Sequence, residues 1–174
     1  MKRFANILLI GILLLLASCI NDGLVTSDKT TLVKVGERAP DFTTQLYPSG
    51  SVRLSSLQGK VVLLTLWDPE CSMCRDEMAV VQEKILDRIQ SDDFYYLPIA
   101  RGQDYEPIKG FFLDNGYTFS TGLDPKREIY KLYATMYVPR SFIIDKQGVI
   151  RHIYVEYELD KLDTIVSTVE QMLK

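Results

Sequence analysis

The chain is poor in the residues from which most metal and nucleophile sites are built. Its 174 residues include one histidine, His152, one tryptophan, Trp67, and three cysteines. Zinc takes four protein ligands in a structural site or three in a catalytic one. A lone histidine in a strand-like stretch and two close cysteines do not supply such a set, so no metal is expected. Charge of one sign is not in surplus either. Lys and Arg number 20 against 23 Asp and Glu, a formal net charge of −3. With no basic patch, nucleic acid is not an expected partner. Repeats and low-complexity tracts are missing. A chain that is 47% hydrophobic and 25% charged then reads as one globular domain.

Long apolar runs are scarce. The longest spans eleven residues, Ile7 to Ala17. That is short for a membrane span but fits the apolar core of a secretory signal. Lys2 and Arg3 precede it, and Leu16-Ala17-Ser18-Cys19 closes it. The arrangement resembles a bacterial lipoprotein signal. The resemblance implies cleavage before Cys19 and a diacylglyceryl group on its sulfur, whose two acyl chains suffice for stable anchoring. The alternative is an uncleaved anchor over residues 4–20. Either reading puts the domain in the cell envelope, facing the periplasm or the extracellular side. The expected division is a signal peptide over 1–18, a lipidated N-terminus and polar tether over 19–35, and a domain over 36–174. Cleavage removes Lys2 and Arg3, leaving 18 basic against 23 acidic side chains, a net charge of −5.

What the chain does possess is a cysteine pair at a junction. The run from Val61 to Trp67 is apolar, β-branched at Val61, Val62 and Thr65, and closed by Asp68-Pro69. It reads as a buried strand. Met78, Val81, Ile85 and Ile89 then recur at spacings of three and four, which predicts a helix with one apolar face. Cys71 and Cys74 fall where strand gives way to helix. A sulfur in the first turn faces unpaired backbone N–H groups and the positive end of the helix dipole, and both favour the thiolate. Cys74 lies one turn further on, within reach for a short disulfide. A C-x-x-C beside a βαβ pattern is a redox signal. The blander alternatives are half of a zinc site or two buried structural cysteines.

Around this centre the pattern is α/β. Residues 42–46 and 51–54 flank the turn Tyr47-Pro48-Ser49-Gly50, which predicts a hairpin. Residues 94–100 read as a second strand, placed at a sheet edge because Pro98 has no N–H for a ladder. Residues 105–115 read as a helix ended by Gly116. Residues 125–134 read as a short helix with Asp124 as its cap. A second hairpin is expected around Lys146-Gln147-Gly148. Leu159, Leu162, Val166, Val169 and Leu173 share one face of a final helix. The sum is a central mixed sheet with helices on both faces and an N-terminal β-hairpin extension. Most tyrosines and phenylalanines are core by default, with Tyr137 also a candidate to line a groove. His152 receives no role.

Three stretches carry a wider resemblance. They are Gly36-Glu37-Arg38-Ala39-Pro40-Asp41-Phe42, the strand into Cys71-Ser72-Met73-Cys74, and Val138-Pro139-Arg140-Ser141-Phe142-Ile143-Ile144-Asp145. In this order they resemble the thioredoxin-like thiol–disulfide oxidoreductases of the TlpA/ResA type, a group related to AhpC/TSA proteins. The resemblance covers residues 36–174 and implies a thioredoxin-like fold. It implies a cis-proline at Pro139 beside the cysteine pair, with the backbone of Val138 docking a client peptide as an added strand. Trp67 is counted with Val138 and Pro139 as client-binding. Glu77 matches a glutamate that exchanges protons with the dithiol in reducing members, and its position three residues after Cys74 puts both on one helix face. A solvated first-turn glutamate is the alternative.

The implied reaction is reduction of protein disulfides through Cys71 and Cys74, with Cys71 as nucleophile. No cofactor is called for. The partners are a disulfide-bearing protein or peptide, an upstream electron-donating reductase, and the membrane through Cys19. Two departures stand out. Glu70 and Met73 replace the tryptophan and proline common before the two cysteines. Asp68 and Glu70 bring negative charge near Cys71, which opposes its ionisation, with Arg75 and Arg140 as candidate offsets. If the acids dominate, the pair leans reducing. The rival readings are a disulfide oxidase or isomerase, a peroxiredoxin-like peroxide reductase, and a non-enzymatic peptide-binding module. Against the peroxidase, Asp68 and Leu64 stand where a threonine or serine and a proline would be required.

Overall fold

The computed structural model describes residues 29–156 and 159–174. Its strands are β1 Thr43–Tyr47, β2 Ser51–Arg53, β3 Val61–Trp67, β4 Phe94–Arg101, β5 Thr121–Asp124, β6 Arg140–Ile144 and β7 Ile150–Val155. The helices are α1 Ser72–Val81, α2 Tyr105–Asn115, α3 Tyr130–Tyr133 and α4 Leu159–Leu173. One mixed sheet takes all the strands in the order β2-β1-β5-β4-β3-β6-β7. The β1–β2 hairpin extends it beyond β5. The expected mixed sheet with helices on both faces and an N-terminal hairpin is present.

Every residue of β3 is buried. A strand sends alternate side chains to opposite faces. Val61 and Leu63 pack with Val81, Ile85, Leu162, Val166 and Val169 from the α1 and α4 side. Val62, Leu64 and Leu66 pack with Ile108 and Phe112 of α2 and Tyr133 of α3. Each such side chain contributes about 1.5–3 kcal/mol when fully buried. Beyond Val81 the helix widens into a π turn over Gln82–Leu86, closed by Asp87 N–H to the Gln82 carbonyl at 2.9 Å. Steps of four residues drift against a 3.6-residue turn, and the wider turn takes up that drift. Val81, Ile85 and Ile89 all stay buried.

Four expectations need correction. β4 is an interior strand, between β5 and β3. Pro98 is tolerated because the β5 ladder starts one residue later, at Ile99, so no ladder N–H is called for at Pro98, whose carbonyl accepts from Thr121 Oγ1 at 3.0 Å. β5 itself was not foreseen. Its Gly122 sits where an added Cβ would meet Ile99 Cδ1 at 2.5 Å and Thr44 Cγ2 at 2.8 Å. Close backbone approach demands glycine there, and glycine erases the strand signal. The helix expected over 125–134 shrinks to α3. Arg127 adopts φ 58°, which no helix tolerates, and the Asp124 carboxylate accepts instead from the N–H groups of Ile129 (3.1 Å) and Tyr130 (2.8 Å). Finally, residues 30–35 are not tether. Thr31 bridges Ala134, Leu32 N–H reaches the Tyr133 carbonyl at 2.9 Å, and Val33 is buried.

Candidate active site

The site forms where β3 ends and α1 begins. The Asp68 side chain folds forward to accept the Glu70 N–H at 3.1 Å, and its carbonyl accepts the Cys71 N–H at 3.0 Å. This turn delivers Cys71 as the N-cap of α1, in extended geometry, with its sulfur accepting the Cys74 N–H at 3.3 Å. A cap acceptor satisfies a helix donor that has no partner within the helix. The same sulfur donates to the Val138 carbonyl at 3.4 Å. Both thiols are free, Cys71 half-buried and Cys74 fully buried. Burial, then the hydrogen bond to Cys71, push the Cys74 thiol far above its ordinary value, and the Glu77 charge adds to this. The Asp68 backbone opposes them. The accessible sulfur and the one held as a thiol are therefore distinct atoms.

Glu77 lies on the buried face of α1, 4% exposed. Burial raises its carboxyl from 4.5 to about 7. It floors a pocket of about 10 Å³, room for about one water, walled by Pro139, Ser141, Tyr154, Glu156 and Lys161. Pro139 follows a cis peptide bond from Val138. Cys71, Cys74, Glu77, Val138 and Pro139 thus come together from the β3–α1 junction and the start of β6. Tyr137, ahead of them, is 51% exposed with φ 67°.

Two expected members are elsewhere. Trp67 does not face a client. It is fully buried, donating its indole N–H to Thr121 Oγ1 at 3.1 Å and packing on Phe111 and Phe112. It is a core residue beneath the site, because a strand as buried as β3 leaves no position open to solvent. Cys19 and the signal over 1–18 lie outside the described residues.

The charges also sort differently. Arg140 is buried and donates to Thr30 Oγ1 and to the Met136 carbonyl, both at 2.8 Å, and to Thr31. Arg75 donates to the Pro69 carbonyl at 3.0 Å. Asp68 is paired instead with Arg101, Nη2 to Oδ2 at 3.0 Å, with side chains 20% and 8% exposed. Sequence reasoning missed Arg101. The available signal was its place, closing β4 at the end of the sheet where β3 closes with Trp67.

A sheet of this order, with a C-x-x-C capping the helix after its central strand and a cis-proline opposite, defines a thioredoxin-like thiol–disulfide oxidoreductase. The chain belongs to the AhpC/TSA family, whose model matches residues 35–153. It is 26% identical to the thiol-disulfide oxidoreductase ResA of Bacillus cereus over 94% of this chain and 95% of that protein. To ResA of Geobacillus kaustophilus it is 30% identical over 82% and 83%. A solution structure from Bacteroides thetaiotaomicron, provisionally named a protein disulfide isomerase, matches with a TM-score of 0.78 at 34% identity. The match covers 83% of this chain and 92% of that one.

Proposed function

We propose that the protein reduces disulfides of client proteins in the cell envelope, on the periplasmic or extracellular side, held at a membrane by a lipid on Cys19. The observation that carries the reading is the asymmetry of the pair. Cys71 caps α1, half-exposed and hydrogen-bonded to Cys74 N–H, while Cys74 is fully buried with its thiol strongly disfavoured from ionising. As thiolate, Cys71 attacks one sulfur of a client disulfide. A mixed disulfide forms and the client's other sulfur leaves as thiolate. Cys74 gives up its proton and attacks Cys71, closing the Cys71–Cys74 disulfide and releasing the second client sulfur. Glu77, with its carboxyl raised to about 7, takes or returns the proton of Cys74. The Val138 backbone and Pro139 receive the client strand. Two electrons pass to the client, and an upstream dithiol reductase must restore them.

The test is the reduction potential of the full chain in detergent, equilibrated with glutathione or dithiothreitol. A value near or below about −250 mV is expected of a reductant. A value of about −120 to −180 mV assigns oxidation or isomerisation instead. The absence of any two-electron transition leaves only peptide binding. The anchor is tested separately. Cys19→Ser is expected to move the protein from the membrane fraction to the soluble one, and retention in the membrane would mean an uncleaved span.

A further inference from the structure

We propose that Arg101 is a positioning residue for the dithiol, acting through Asp68 on the turn that presents Cys71. The inference rests on the thiol–disulfide reading above and extends it to a residue at the end of β4, the strand beside β3. Asp68 uses all of its acceptors locally. One carboxylate oxygen takes the Glu70 N–H, the backbone carbonyl takes the Cys71 N–H, and the other carboxylate oxygen takes Arg101. Removing the guanidinium leaves a buried carboxylate beside the first cysteine with its charge unanswered.

Arg101 is itself built into place. Its guanidinium lies over the Tyr130 ring, 5.0 Å from the centroid, which is attractive for a cation. Tyr130 is fixed at the start of α3 by the Asp124 carboxylate. The next residue, Gly102, donates its N–H to the Asp124 carbonyl at 2.8 Å, with the Arg127 guanidinium so close that a Cβ would sit 2.9 Å from Nε. Arg101 Nε is buried with no hydrogen-bond partner among the described residues. The side chain is held between the Asp68 carboxylate and the Tyr130 ring. Tyr130 reaches further. Its hydroxyl donates to the Tyr137 carbonyl at 3.4 Å, in the loop that leads to Val138 and Pro139. One unit, Arg101 on Tyr130, therefore touches both halves of the site.

The ionisable groups around the pair are Asp68 and Glu70 in the turn, Arg75 and Glu77 on α1, Tyr96 and Arg101 on β4, and Tyr130 and Tyr137 beyond. Of these, Asp68 is the one joined to Cys71 by a backbone hydrogen bond and to a cation by its side chain.

The experiment follows alkylation of Cys71 by iodoacetamide against pH, by mass spectrometry, in the reduced full chain and its variants. Arg101→Met is expected to raise the midpoint by about one pH unit and slow alkylation about tenfold at neutral pH. Arg101→Lys, which keeps the charge, is expected to recover most of that loss. The double variant Arg101→Met with Asp68→Asn, which removes both charges, is expected to return to within about threefold of the unaltered chain. A merely structural arginine would not be rescued by deleting its partner's charge. An unchanged midpoint in a folded Arg101→Met overturns the proposal. So does a double variant as slow as the single one. If Arg101→Met does not fold, the lysine and double variants still decide. The alkylation profile needs no disulfide exchange, so a failed redox titration of the unaltered chain would sink the functional reading alone.

Discussion

Cys71→Ser is expected to abolish reduction of client disulfides, and Cys74→Ser to leave the first step intact and block the second. The two sulfurs differ in place, and burial holds Cys74 as the thiol. Cys71 is half-exposed, caps α1 and touches the Val138 carbonyl, so an incoming disulfide meets it first. A serine hydroxyl there is not ionised at neutral pH, and the thiolate is the nucleophile. Turnover with a model disulfide such as insulin should fall to the uncatalysed background. In Cys74→Ser, Cys71 still attacks, but nothing remains to resolve the product. One client per chain should accumulate as a mixed disulfide, read as a mass increment on a non-reducing gel and reversed by dithiothreitol. A Cys74→Ser variant that accumulates no mixed disulfide would deny the division of labour. A mixed disulfide trapped on Cys74 in Cys71→Ser would reverse it.

Glu77→Gln is expected to stabilise the protein above neutral pH and to change the pH dependence of exchange. Burial raises the Glu77 carboxyl from 4.5 to about 7. Between these values the folded state binds a proton that the unfolded state has lost, so stability falls as pH rises through that window. Below the lower value both states are protonated and the penalty vanishes. Above the upper one it is complete, on the order of 2–4 kcal/mol. The groups facing Glu77 are Cys74 on its own helix, Tyr96, Tyr154, Glu156 and Lys161. Glutamine keeps the shape and carries no charge to desolvate. Urea midpoints of the two proteins should coincide near pH 4 and diverge by pH 8, with the glutamine variant higher. In the same variant the limb of the exchange rate near pH 7 should disappear, because the group proposed to carry the Cys74 proton is gone. Parallel urea curves at every pH would mean that the carboxylate is solvated.

The cysteine site was legible because its parts are close in sequence. A run of seven buried residues, a proline and a C-x-x-C place strand, turn and helix with no distant information. Glu77 was readable as sharing a face with Cys74, but not as buried, because the wall over it comes from β6, β7 and α4. Arg101 was hidden for the same reason. Its partner is 33 residues away, and the contact exists only because β4 lies in register with β3. Trp67 was misjudged as client-facing because a tryptophan beside cysteines reads the same from either side of a sheet. Pro98 was placed at an edge by a correct rule applied to an unknown ladder length.

The β1–β2 hairpin bears on how copies of this protein meet one another. A parallel strand at the rim of a sheet offers a row of open donors and acceptors to any other strand. Here β5 would be that rim, and β1 closes it through Leu46–Gly122 and Tyr47–Thr121. The rim moves out to β2, three residues long and carrying Arg53, which is tied back to Asp41 by an ion pair at 2.7 Å. So short and charged a strand gives a second copy little to add to. For an enzyme proposed to receive its clients as added strands at Val138, such a margin discourages addition far from the cysteines, where it would begin a fibre.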